Sequence, residues 1–136
     1  MNEKNIKIPI IIIPKEKTTQ GSIIFENITN LLLKNNIPFV TYIDSNFQLH
    51  FQKSKYRLES IEEVLKVSNV CVIIESGYNK EIESIVDLFL ENGKDILCFP
   101  SNILSKQAIF SNNLIRDGAI CITSEYMLLE YLLNLE

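Results

Sequence analysis

The feature that most constrains the fold of this sequence is a set of five short apolar runs. They are rich in Ile and Val, and they lie at 8–13, 39–43, 70–75, 96–99 and 119–122. Side chains at neighbouring positions of a strand point to opposite faces of the sheet. In these runs the residues on both faces are apolar. Each run therefore predicts a short strand that is covered on both faces, as in a parallel sheet.

The segments between these runs have apolar residues three and four positions apart, which predicts amphipathic helices. Asn79 is placed to cap one helix, and Gly93 lies just past its end. Ser60 and Glu63 have capping-box spacing at the start of another helix. The clearest apolar stripe comprises Ile82, Ile85, Val86, Phe89 and Leu90.

The alternation of strands and helices predicts an α/β protein in which residues 1–136 form a single domain. The simplest arrangement is a three-layer, Rossmann-like domain. Its five-stranded parallel sheet would have the strand order 2-1-3-4-5, with helices on both faces. The polar segment from Asp44 to Ser60 is expected to be a loop with a partial helix.

Composition limits the classes of function. No stretch is long enough to cross a bilayer and no signal peptide is evident, so a cytoplasmic protein without membrane contact is expected. The net charge of −4 and the pI of about 5.1 confine any polyanion site to a local patch. The three cysteines are widely spaced and lie in apolar runs, so buried reduced thiols are predicted, without a metal site: Cys71, Cys98 and Cys121.

A local cationic patch is predicted where ligands bind in open α/β sheets, beyond the carboxyl ends of the strands. Seven of the 13 Lys and Arg residues map to loops assigned to that edge. A cationic rim above helix N-termini suits phosphate groups, although lysines also collect in solvated loops of many proteins. The seven residues are Lys15, Lys17, Lys53, Lys55, Arg57, Lys80 and Lys106.

Three segments carry a resemblance to a known family. They are VCVIIESGY at 70–78, ENGKDILCFPSNI at 91–103 and NNLIRDGAICITS at 112–124. Together they resemble the second half of the Rossmann-type domain of the DprA/Smf family of DNA-processing proteins. The glycine-rich turns of that family are mostly replaced here, for example by Pro14-Lys15-Glu16 and Lys80-Glu81-Ile82, which argues for an altered phosphate-binding geometry.

The resemblance implies a non-enzymatic domain that binds single-stranded DNA or a recombination or DNA-uptake partner such as a recombinase. Tyr56 would stack a base among Lys53, Lys55 and Arg57, or else be a partly buried loop aromatic. The family also implies a homodimer. Its interface would include Asn113 and Arg116. The last helix is predicted to bury Met127, Leu128, Tyr131 and Leu132, which leaves Leu129 and Leu133 as the outer part of the same interface.

Two alternatives remain open. The chain could be a nucleotide-binding sensor or a nucleoside-phosphate hydrolase of the related lysine-decarboxylase-like group, or a structural interaction subunit with a decayed site. No phosphate-binding glycine motif is present, so no cofactor and no catalytic residue is assigned. Glu75 and Glu81 could pair as carboxylates, but Glu75 is favoured as a structural acceptor for loop N–H groups, and His50 as a surface residue.

Overall fold

A computed structural model of the chain describes residues 6–14, 17–77, 79–100, 106 and 109–133. Its strands are β1 (Pro9–Ile12), β2 (Phe39–Ile43), β3 (Asn46–Phe51), β4 (Ser54–Leu58), β5 (Val70–Ile73), β6 (Asp95–Cys98) and β7 (Ile120–Cys121). Its helices are α1 (Thr19–Lys34), α2 (Ile61–Val67), α3 (Lys80–Glu91), α4 (Ile109–Arg116) and α5 (Glu125–Leu133).

All seven strands of the described ranges form one mixed sheet, in the order β4-β3-β2-β1-β5-β6-β7. The five predicted strands are β1, β2, β5, β6 and β7, which run parallel to one another in the predicted spatial order. β3 and β4 extend the β2 edge as antiparallel strands. The α/β class is confirmed, whereas a sheet of five parallel strands is wrong because a hairpin has been added.

The added hairpin occupies the segment that was predicted to be a loop with a partial helix. Both of its turns contain residues with positive φ and neither contains glycine: Asp44 and Ser45 have φ of 50° and 65°, and Gln52 has φ of 57°. Tight hairpin turns usually carry Asn-Gly or Asp-Gly, so the usual turn signal is absent here. The strands are nevertheless patterned, since Phe47, Leu49 and Phe51 alternate along β3.

The sheet is covered on both faces by separate apolar cores. Ile10 and Ile12 belong to one core, and the alternating residues Ile11 and Ile13 belong to the other. The first core is completed by α2, α3 and α4, and the second by α1 and α5. Burying each such side chain contributes about 1.5–3 kcal/mol, so the continuous apolar runs explain the three-layer arrangement.

The predicted helix boundaries hold where they depend on capping. The N–H of Ile82 donates to Oδ1 of Asn79 at 3.0 Å, and the N–H of Glu63 donates to Oγ of Ser60 at 3.3 Å. Gly93 follows α3 with a φ of +70°. The described helices include none that is both long and apolar enough to span a membrane.

The orientation of α5 differs from the prediction. Leu128, Leu129 and Leu132 are its buried residues, and Met127 is exposed instead. The expectation that Leu129 and Leu133 form an outer interface is therefore wrong, because both pack against the core that α5 shares with α1. A helix that is apolar on nearly every side gives little sequence information about which side faces inward.

The three cysteines lie on three neighbouring strands of the sheet. Cys98 is the register partner of Cys121, and Cys71 lies on the strand beyond. All three are free thiols; Cys71 and Cys98 are buried, as predicted, and Cys121 is half-buried. Burial raises the pKa of Cys71 well above its usual value and that of Cys98 to about 12, so these two thiols are poor nucleophiles.

Candidate nucleic-acid interface

The carboxyl ends of β1 and β5 meet the N-terminus of α1, where this fold class usually holds an anionic ligand. The carboxylate of Glu75 occupies that position and is 2% exposed. The backbone N–H of Thr18 donates to its Oε2 at 2.8 Å, and the Thr18 hydroxyl donates to its Oε1 at 2.6 Å. A carboxylate here is stabilised by the helix dipole, so the chain supplies its own anion.

Gly21 allows this close approach. It lies in the first turn of α1, and a β-carbon at that position would overlap with the carboxylate of Glu75. The interpretation of Glu75 as an acceptor for loop N–H groups is confirmed, and Glu81 has a different partner, the hydroxyl of Tyr42. The glycine thus serves an internal contact between helix and carboxylate.

The next loop of the same edge is closed by serine contacts. Ser76 is fully buried, and its N–H donates to Oγ of Ser111 at 3.2 Å. Its carbonyl accepts from the N–H groups of Phe110 and Ser111 at 3.0 and 3.1 Å. These bonds attach the start of α4 to the end of β5. In the described residues, the polar backbone at this part of the edge is therefore engaged within the chain.

Three of the predicted cations remain at the carboxyl edge. Lys17 precedes α1, Lys80 begins α3 and Lys106 precedes α4, and all three are exposed. Lys15 lies outside the described residues. These lysines border an edge whose central position is filled by Glu75. Because they are exposed, water solvates their charges and no bound ligand is needed to explain them.

Of the other predicted cations, Arg57 is one residue from the end of β4, which runs parallel to β2, so it is near the carboxyl edge, whereas Lys53 and Lys55 are not. Phe39 is the first residue of β2, and it pairs with His50 near the end of β3. On the other side of β3, His50 pairs with Lys55 of β4. Lys53 lies in the turn beyond them, so it and Lys55 are at the amino end of the parallel strands. That end is about 15 Å from the carboxyl edge over a five-residue strand. The prediction that seven cations share one edge is therefore wrong for Lys53 and Lys55.

The hairpin instead combines cations with exposed aromatic rings. Tyr56 pairs with Leu49 across the β3–β4 ladder, and Phe51 lies two residues further along β3, so both rings point to one face. The side chains are 51% and 44% exposed. Such diagonal neighbours lie about 7–8 Å apart, within reach of one another. Lys55 and Arg57 flank Tyr56 along β4, so their side chains point to the opposite face of the hairpin.

We name these five exposed side chains, which occupy the turn and both faces of the edge hairpin, the hairpin surface: Phe51, Lys53, Lys55, Tyr56 and Arg57. No acidic residue occurs between Asn46 and Leu58, so the segment is locally positive in an acidic protein. Arg57 pairs with Glu59 at 3.8 Å, but both side chains are 70% exposed and such a pair is weak. The alternation of Phe47, Leu49 and Phe51 in the sequence indicated a strand that would place Phe51 on this surface. The interpretation of the segment as a loop missed that pattern.

The hairpin is anchored to the sheet through His50. Its ring stacks on Phe39 with centroids 4.5 Å apart, and its Nε2 lies 3.1 Å from Oγ1 of Thr41. Burial, and secondly the charge of Lys55, lowers the pKa of His50, so the neutral ring is favoured. His50 is thus a half-buried anchor of the hairpin, and the interpretation of a surface residue in a loop is wrong.

In comparisons with known proteins, no protein-family model and no curated protein matches this chain. The resemblance to the DprA/Smf family therefore remains a prediction from the segments given above. Among the described residues, no group of three His, Cys, Asp or Glu side chains is arranged to hold a metal ion.

Proposed function

We propose that this chain is a non-enzymatic, Rossmann-like domain similar to that of the DprA/Smf family, which binds single-stranded DNA through the hairpin surface. The observation that carries the proposal is the exposed pair Phe51 and Tyr56 on one face of an edge hairpin, whose turn and opposite face carry three cations. Aromatic rings stack on the bases of a single strand, while lysine and arginine contact its phosphates. The five parallel strands in the order β2-β1-β5-β6-β7 support the Rossmann-like assignment.

The nucleotide-binding alternative has less support. A nucleoside phosphate at the carboxyl edge would have to approach the N-terminus of α1, where Glu75 already places a buried negative charge. Two anions at one helix terminus repel each other strongly when they are shielded from water. Among the described residues, the N-terminus of α1 therefore offers no prepared phosphate position where the fold would be expected to supply one.

The test is the affinity for fluorescent oligo-dT at low and moderate salt. Lys53→Ala/Lys55→Ala alters the hairpin surface, and Lys17→Ala/Lys80→Ala makes the same change in charge at the carboxyl edge. We expect micromolar or tighter binding by the native chain. The hairpin double variant should weaken binding at least tenfold, and it should lower the salt slope by about 0.7 for each phosphate that is no longer neutralised.

Comparison of the two double variants shows whether the oligonucleotide binds at the hairpin surface or at the carboxyl edge. Unchanged affinity in the hairpin variant and weaker binding by the carboxyl-edge variant would move the site to the carboxyl edge. Equal weakening in both would indicate non-specific attraction between the oligonucleotide and any lysine. If the native chain does not bind at low salt, DNA binding is excluded and the structural interaction subunit becomes the leading function.

The recombinase partner and the homodimer, both implied by the resemblance, remain proposals. Leu129 and Leu133 cannot report on a dimer, because Leu129 belongs to the core and Leu133 packs against it. Arg116 on α4 is exposed and forms an ion pair with Asp117 at 3.1 Å. Sedimentation of the native chain and of Arg116→Glu tests the homodimer, which is contradicted if the native chain sediments as a monomer at micromolar concentration.

A further inference from the structure

A cleft of about 280 Å³ opens between the hairpin, the first turn of α2 and α3. It is separate from the carboxyl-edge contacts of Glu75 and from the exposed rings of Phe51 and Tyr56, none of which lines it. Its size is just below the range of about 300–1,000 Å³ that is typical of small-molecule sites, which favours a small ligand.

The cleft has an apolar wall, and α3 contributes polar side chains beside that wall. Leu58 of β4 faces Ile85 and Leu88 of α3 across the cleft. Glu81 and Ser84 precede these residues on the same stripe of α3, at the i, i+3, i+4 and i+7 positions. A polar end and an apolar end are thus arranged along a single helix face.

The carboxylate of Glu81 is oriented by a buried phenol. The hydroxyl of Tyr42 donates to Oε1 of Glu81, and Tyr42 is 3% exposed. Burial, and secondly this hydrogen bond, raises the pKa of Tyr42 to about 12, so the phenol keeps its proton and remains a donor. The carboxylate is therefore held in place while it keeps capacity to accept further hydrogen bonds.

The charges of the cleft do not balance. Arg57 and Glu59 also line it, and they pair with each other at 3.8 Å. No ion pair joins Glu81 to a cation of the described residues. The cleft therefore has an excess of one negative charge, located at Glu81 beside an apolar wall. A ligand that complements it has a positive charge at one end and a hydrocarbon body at the other.

We propose that this cleft binds a small organic cation, a primary amine with a short hydrocarbon body. The ammonium group donates hydrogen bonds to the carboxylate of Glu81 and to Oγ of Ser84. The hydrocarbon packs against Leu58, Ile85 and Leu88 and removes their surfaces from water. The proposed contacts are to Glu81, Ser84 and the apolar wall, so the proposal does not depend on DNA binding; Arg57 is the one residue of the hairpin surface that also lines the cleft.

The test is an amide-resolved NMR titration of the full chain with isopentylamine, at neutral pH and constant ionic strength. Its neutral counterpart, 3-methyl-1-butanol, has the same hydrocarbon body and lacks the charge. We expect saturable shifts of the amides of Glu81, Ser84 and Leu58 with the amine. The affinity for the alcohol should be at least tenfold weaker, since the charged hydrogen bond is missing.

Two variants locate the binding energy, and the spectra themselves report whether each is folded. Glu81→Gln should weaken binding of the amine at least tenfold, while Glu83→Gln makes the same change in charge on α3 outside the cleft and should leave it within twofold. Ser84→Leu fills the cleft without changing its charge and should abolish the shifts. Equal effects of Glu81→Gln and Glu83→Gln, equal affinity for the alcohol, or no saturable shift with the native chain would each overturn the proposal.

Discussion

The carboxyl edge of the parallel strands and the added hairpin use their polar groups in opposite ways. At the edge, Glu75 bonds to Thr18, and Ser76 bonds to Ser111 and Phe110, so these groups hold the chain together. On the hairpin surface, rings and cations are exposed to solvent. The position at which this fold class usually binds ligands is thus filled from within, and an element outside the parallel sheet offers the available surface.

The exposed cations of the hairpin also have a structural explanation. β4 is the outermost strand of the sheet, and Lys55 and Arg57 lie on it. Charged residues on an edge strand discourage pairing with the edge of another molecule. Edge protection requires the charges alone, whereas binding of a single strand also requires the rings of Phe51 and Tyr56. Variants of the rings therefore separate the two roles.

The largest expected effect is a loss of stability when the contacts of Glu75 at the carboxyl edge are removed. Glu75→Ala removes two hydrogen bonds to a charged, buried acceptor and leaves the N–H of Thr18 without this partner. We expect the free energy of unfolding to fall by about 3 kcal/mol. Urea unfolding measures it, with Glu26→Ala on the exposed side of α1 as the control. A decrease no greater than that of the control would show that the edge is not held by Glu75.

The next effect should appear in binding to the hairpin surface. Tyr56→Ala and Phe51→Ala are each expected to weaken oligo-dT binding by about 1–3 kcal/mol, the usual cost of removing a stacked ring. Tyr126→Ala is the matched control, because Tyr126 is 67% exposed on α5. Fluorescence anisotropy gives the three affinities. If they agree with that of the native chain, the cations serve to protect the edge and the rings bind no base.

A smaller effect tests the contact between Gly21 and Glu75. Gly21→Ala should lower the free energy of unfolding by about 1 kcal/mol, because displacement of the carboxylate costs more than the alanine gains in helix propensity. In the Glu75→Ala background the same substitution should be stabilising, by up to about 1 kcal/mol. Urea unfolding of the four proteins gives the coupling. The same sign in both backgrounds would contradict a direct contact.

The sequence allowed the parallel part of the fold to be predicted better than the site. Runs such as Ile8–Ile13 are apolar at every position, and only a strand covered on both faces satisfies that pattern. The hairpin was missed because Asp44, Ser45 and Gln52 adopt positive φ without glycine. The predicted positions of Lys53 and Lys55 were wrong for the same reason. A loop was assumed there, but the strand β3 carries the chain back to the amino end of the parallel strands. Glu75 was assigned correctly because it closes a buried strand.

The smallest expected effect concerns the anchor of the hairpin. Because the pKa of His50 is lower in the folded chain than its ordinary value of about 6.5, the neutral ring contributes stability that is fully present above that value. This contribution disappears as the pH falls below about 6.5 towards the lowered pKa. Urea unfolding between about pH 7.5 and 5 should therefore show a steeper decrease in stability for the native chain than for His50→Phe, which keeps a ring against Phe39 and cannot be protonated. Equal pH dependence in the two proteins would show that the hairpin is not anchored by a neutral His50.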